Sequence, residues 1–231
     1  MSTRRDDLAE RLGTVRARVD AALAAAGRSD AVTLVAVTKR FPAQDLDLLA
    51  ELGVRDVGEN REQEVSEKLT HVARRSELTV HFVGQVQTKK AAAVAACSDV
   101  VHSVDRTKLA GALDRGAARQ ERTLEVLLQV GLDTSGERGG VAPEDLMALA
   151  DHVAGLEHLR LRGVMALAPR EGEARPAFAR LHELSERLRG EHPDADWVSG
   201  GMSADLEDAV AEGATHLRVG TAILGSRESH R

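Results

Sequence analysis

Eight short β-rich runs, each followed by a stretch of helical period, constrain this chain more tightly than any other feature. The runs are VTLVAVT (32–38), VRDVGE (54–59), TVHFVG (79–84), DVVHSV (99–104), LEVLLQVG (124–131), LRGVMALA (161–168), DWVSG (196–200) and HLRVG (216–220). Strands that alternate with helices pair in parallel, and eight of them close into a (β/α)8 TIM barrel. An open doubly wound sheet would carry a G-x-G-x-x-G turn after its first strand, and here that turn reads Lys39, Arg40, Phe41, Pro42. The reading is an α/β single domain over 1–231, with an extra amphipathic helix from about Arg5 to Ala26 ahead of the first strand. Pro42, Pro143 and Ser203 stand at the expected helix starts. The Gly-rich segment 133–143 is the loosest connection by composition, and is expected to be mobile.

Composition narrows the function. At 231 residues, 42% hydrophobic, the chain is long enough to bury a core. Its net charge of -6 provides no basic field, and three Phe, one Trp and no Tyr provide no stacking platform, so nucleic acid is excluded as a partner. One cysteine, Cys97, rules out an internal disulfide and a cysteine metal cluster, and reads as packing. The first residues, MSTRRDDLAERLG, are charged and periodic, unlike a secretory signal, and no run reaches the roughly 20 apolar residues of a membrane span. A cytoplasmic protein without membrane contact is expected.

In a parallel barrel the functional groups gather where strands run out into helices. Those ends present Lys39, Glu59 and Asn60, Gly84 and Gln85, His102 and Ser103, Asp133, Met165, Ser199 to Gly201, and Gly220 with Thr221. A lysine at the barrel mouth, partly desolvated, offers a free amine as a nucleophile toward an aldehyde. It could equally extend its ammonium across the rim into water, and both readings stand on this stretch alone. After the seventh strand, Gly200 and Gly201 let backbone N–H groups approach a ligand, and Ser203 opens a helix whose dipole favours an anion; an ordinary Ser N-cap is the plainer reading. Gly220 and Thr221 after the eighth strand strengthen the anion reading, because barrels often build a phosphate site from these two loops. Arg218 faces either a ligand ring or phosphate, or an ion-pair partner inside the barrel such as Glu59. His81 and His102 read as hydrogen-bonded core or rim groups rather than metal ligands, while Met165 and Trp197 line or support the barrel.

The runs LVAVTKRFP, VGENREQE, HFVGQVQTKK, VHSVDRTKLA, LRGVMALAP, GGMSADLEDAV and RVGTAILGSR resemble, from about residue 30 to residue 227, the YggS-like pyridoxal phosphate homeostasis family. That family is related to the fold-type III barrel of alanine racemases. The resemblance implies that Lys39 forms an aldimine with pyridoxal 5'-phosphate (PLP). It places Ser203, Gly220 and Thr221 on the cofactor's phosphate, and Asn60, Met165 and Arg218 around its ring, with Arg218 near the pyridine nitrogen or the phosphate. Two positions depart from the family pattern: Arg138 stands where many relatives carry a loop lysine, and Gly200 where a methionine is common, which should loosen packing there.

Racemisation needs an acid/base group on each face of the planar intermediate, and alanine racemases supply one of them as a tyrosine. This chain has no tyrosine, and the sequence runs out soon after the eighth strand, without length for a second, closing domain. An arginine at the pyridine nitrogen would also weaken the cofactor as an electron sink. The expected function is therefore non-enzymatic, a monomeric PLP carrier with apo PLP-dependent enzymes as candidate recipients, and the family resemblance implies a place in vitamin B6 homeostasis with effects on amino-acid and keto-acid balance. A weak PLP-dependent amino-acid racemase is the alternative, and a lysine-dependent aldolase acting on a sugar phosphate is a third reading.

Overall fold

The computed structural model describes residues 2–132, 139–169 and 172–225. Eight strands, β1 (Thr33–Val37), β2 (Asp56–Glu59), β3 (Thr79–Phe82), β4 (Val100–Val104), β5 (Leu124–Gln129), β6 (Leu159–Met165), β7 (Trp197–Ser199) and β8 (His216–Val219), pair in parallel in chain order, and β8 closes on β1. The expected barrel is the observed one. Each strand alternates its side chains. On β8, Leu217 and Val219 pack outward among helix residues, which leaves His216 and Arg218 to the barrel interior. On β1, Ala36 faces outward, and the interior-facing Val35 and Val37 flank Gly58, where a Cβ would meet their methyls at 3.2 and 3.1 Å.

Nine α-helices surround the sheet among the described residues: α1 (Arg4–Ala25), α2 (Ala43–Glu51), α3 (Glu62–Leu69), α4 (Ala91–Cys97), α5 (Thr107–Ala118), α6 (Leu146–Ala154), α7 (Arg175–Glu191), α8 (Leu206–Ala211) and α9 (Thr221–Leu224). Helix α1 starts on a capping box between Thr3 and Asp6. Its Leu8, Leu12, Val15, Val19 and Ala22 form one buried stripe at three- and four-residue spacing. That stripe belongs to a core cluster with Leu46 and Leu49 of α2, Leu206 and Val210 of α8, and Ile223 and Leu224 of α9. The helix thus covers the seam where the barrel closes. No described helix is long and apolar enough to cross a membrane.

Two helix starts differ from expectation. Helix α6 begins at Leu146, three residues after Pro143, and α8 begins at Leu206, three residues after Ser203. In the second case Asp205 Oδ1 accepts the Met202 N–H at 2.5 Å, so an acidic turn precedes the helix where a serine cap was expected. Asp133 and Arg138 lie outside the described residues, as does the end of the last family-like run beyond Gly225.

Candidate functional site

Strand pairing brings the two ends of the sequence together at the barrel mouth. Val37 of β1 lies against Gly220, whose missing Cβ would stand 3.3 Å from the Val37 carbonyl oxygen. On its other side Val37 pairs with Gly58 of β2. Lys39, two residues on, therefore rises between the Glu59 and Asn60 loop and the Gly220 and Thr221 loop. The lysine is exposed, which corrects the expected desolvation, and among the described residues it has no hydrogen-bond or ion-pair partner.

The turn carrying Lys39 is held from below. Thr38 is buried and donates its hydroxyl to Glu59 Oε1 at 2.7 Å. Lys68 of α3 reaches into the same place, donating to Glu59 Oε1 at 2.7 Å, to the Thr38 carbonyl at 3.0 Å and to Glu64 at 3.3 Å. Glu64 also accepts the Arg40 backbone N–H, and Arg40 adopts a left-handed φ of 69°. Burial pushes the Glu59 carboxyl up, opposed by the Lys68 ammonium. Glu59 is thus spoken for by Lys68, and the ion pair considered between Glu59 and Arg218 does not form.

Arg218 is 4% exposed. It donates from Nη1 to Ser199 Oγ at 2.5 Å and from Nη2 to the Ala166 carbonyl at 2.9 Å. Burial draws its pKa down to about 10. Register explains the contact: Met165 pairs with Ser199 across β6 and β7, and Ser199 with His216 across β7 and β8. Met165 itself is buried in a small interior cluster with Val100 and Leu127, against which Trp197 packs.

The loops after β7 and β8 are tied to each other. Ser203 Oγ accepts the Ala222 N–H at 3.2 Å, so the hydroxyl serves the first turn of α9 rather than α8. The backbone N–H groups of Ser203, Ala204 and Thr221 have no hydrogen-bond partner among the described residues. Gly201, at φ +86°, is required for the turn, since a Cβ there would stand 2.6 Å from that of Ala209. At Gly200 the loosened packing expected from a missing methionine is not found: a Cβ would already be 3.1 Å from two ring carbons of Phe178, which fills the space. Asn60 Oδ1 is buried without a hydrogen-bond partner among the described residues. It sits at a close crossing, where a Cβ on Gly84 would be 2.5 Å from the Asn60 carbonyl oxygen.

All seven expected residues therefore lie on the face where the strands end, but not as one layer. Lys39 and Thr221 are exposed at the rim, Asn60, Ser203 and Gly220 are half-buried, and Met165 and Arg218 lie inside. Sequence reasoning overlooked Lys68 and gave Ser199 no role. The signal for Lys68 was a lysine three residues after Val65, on the buried stripe of α3. His81 and His102 are buried and hydrogen-bonded to each other, and no described group of His, Cys, Asp or Glu is arranged to hold a metal.

The family described as "Alanine racemase, N-terminal domain" matches residues 10–228, which places this barrel in the alanine racemase class. Within that class, the pyridoxal phosphate homeostasis protein of Pseudomonas aeruginosa is 42% identical, covering 96% of each chain. That of Mycobacterium tuberculosis is 40% identical, covering 97% of this chain and 94% of its own. The structure of PipY from Synechococcus elongatus with PLP bound superposes with a TM-score of 0.83 at 34% identity, covering 94% of this chain and 100% of that one. The chain belongs to the pyridoxal phosphate homeostasis protein family.

Proposed function

We propose that this protein binds PLP through Lys39 and acts in the cytoplasm as a carrier of the cofactor, without strong catalytic turnover. The observation that carries this reading is the position of the Lys39 amine: exposed, without a partner among the described residues, and set by strand register between Asn60 and the Gly220 and Thr221 loop. The site's donors suit a phosphorylated pyridine aldehyde. Unclaimed N–H groups at Ser203, Ala204 and Thr221, with the Thr221 hydroxyl, suit a phosphate, and the orphaned Asn60 Oδ1 is an acceptor awaiting a donor. When bound, PLP supplies an aldehyde that an amine captures reversibly.

The chain's own residues do the rest. Thr38, Glu59 and Lys68 fix the turn below Lys39, so the amine reaches the mouth with little backbone freedom. Arg218 presents a permanent cation inside the barrel and disfavours a proton on any ring nitrogen placed before it. Lys39 is a candidate proton-transfer group on one side of the site, and the chain has no tyrosine to act opposite it. Capture and release of the cofactor, rather than racemisation of an amino acid, is what such a site supports. The name shared by the relatives, homeostasis protein, agrees with this reading.

The test is borohydride reduction of PLP-loaded protein followed by peptide mapping, with incubation of the unreduced protein with L- and D-amino acids. Label on Lys39, loss of the visible absorption band in Lys39→Ala and no chiral inversion are expected. Label on another lysine, or inversion at ordinary enzymatic rates, would sink the proposal.

A further inference from the structure

Arg218 is buried, and although the Asp205 carboxylate is near enough to favour its charge, no carboxylate touches it among the described residues; its named partners are a hydroxyl and a carbonyl. A buried cation needs compensation. Following its hydrogen bonds away from the mouth leads through the barrel to the other end. Ser199 Oγ lies 2.9 Å from His102 Nδ1, His102 Nε2 lies 2.8 Å from His81 Nδ1, and His81 Nε2 lies 2.9 Å from Asp56 Oδ1. Asp56 opens β2 and is half-exposed at the base.

We propose that Ser199, His102 and His81 are positioning residues forming a one-way hydrogen-bonded chain, which joins Arg218 to the Asp56 carboxylate and fixes the guanidinium for the cofactor ring. Donor counting gives the direction. Asp56 accepts, so His81 carries its hydrogen on Nε2 and accepts at Nδ1. His102 then donates from Nε2 and accepts at Nδ1 from the Ser199 hydroxyl, whose oxygen accepts from Arg218. Every donor points away from Arg218, and every negative dipole end points toward it. Burial, and the neighbouring His81, Arg218 and His216, push His102 well below the ordinary histidine range, which keeps its ring neutral with a single N–H.

The opposite direction requires a cationic His81. The groups facing that ring are Asp56, His102, His216 with its centroid 6.4 Å away, and beyond them Arg162 and Arg218. A cation there would add charge to a cluster already holding one, and would leave the Ser199 hydroxyl hydrogen without an acceptor among the described residues.

The role assigned to Arg218 rests on the PLP reading; the chain itself does not, and the experiment separates them. Long-range 1H–15N spectra of the ligand-free protein report histidine tautomers directly. Nε2–H on both His81 and His102 is expected, and Nδ1–H on His102 would overturn the chain. In PLP titrations, Ser199→Ala and Asp56→Asn should weaken binding by about tenfold while borohydride still labels Lys39, and Ser199→Thr, which keeps the hydroxyl, should restore it. Wild-type affinity in both weakened variants would overturn the positioning role. If the wild-type protein takes up no PLP, the proposed function fails, while the tautomers still decide the chain.

Discussion

Between Glu59 and the Thr38 carbonyl, the Lys68 ammonium is nearly as buried as the carboxylate it meets, at 6% and 0% side-chain exposure. Glu59 Oε2 has no hydrogen-bond partner among the described residues, so the pair is tight but incompletely satisfied there. Removing one member of such a pair costs more than the pair itself contributes. Lys68→Met should therefore destabilise the protein by about 3–5 kcal/mol, and adding Glu59→Gln should recover part of that loss, both read from urea unfolding. Equal stability of Lys68→Met and wild type would show that the cluster carries no strain on truncation. The position of Lys39 at the barrel mouth was legible because an ammonium ending an apolar run marks a strand end, while its proposed role came from the family resemblance. Lys68 was not, because a lysine inside a charged helix looks solvated until the fold turns it inward. Ser199 was hidden for a related reason: its partners His102 and Arg218 come from other strands, and nothing local to VSGG announces them.

Helix α1 precedes the barrel yet braces its mouth. Arg18 donates to both carboxylate oxygens of Glu207, at 2.7 and 2.9 Å, and to the Ser203 carbonyl at 3.1 Å. The helix thereby grips the loop whose backbone N–H groups are unclaimed. Exposed ion pairs of this kind contribute little to stability, roughly 0–1 kcal/mol. Arg18→Ala is accordingly expected to leave the unfolding midpoint almost unchanged while weakening PLP severalfold. Pyridoxal, which lacks the phosphate, should bind wild type and variant alike; an equal loss for both ligands would assign Arg18 to something other than the phosphate loop. At this scale the sequence was informative about which elements exist, since period-two and period-3.6 patterns alternate cleanly. It was poor about where helices begin. Pro143 and Ser203 looked like starts, but each is followed by a turn before α6 or α8, and in the second case an aspartate two positions on, Asp205, takes the Met202 N–H.

The whole barrel encloses histidines that cannot easily charge. His216 is lowered from 6.5 to about 3, first by burial and then by neighbouring His81, and His102 is lowered in the same sense, again first by burial. Below about pH 6.5 the unfolded chain therefore binds protons that the folded chain refuses. Stability is fully present above that value and falls as pH drops toward 3, by about 1.4 kcal/mol per pH unit for each such histidine. Glu59, whose carboxyl is raised, acts in the opposite sense, one group against two. Urea midpoints should fall steadily between about pH 6.5 and about pH 4.5, and a flat profile would contradict the buried neutral rings. The closing seam between β8 and β1 has a different kind of consequence, one of timing. Its register alone sets residue 39 beside residue 220, so no part of the chain short of the last strand holds the pocket. A ribosome must deliver the eighth strand itself before the newborn protein can catch its vitamin, and uptake of that vitamin by nascent chains would mark the moment the ring snaps shut.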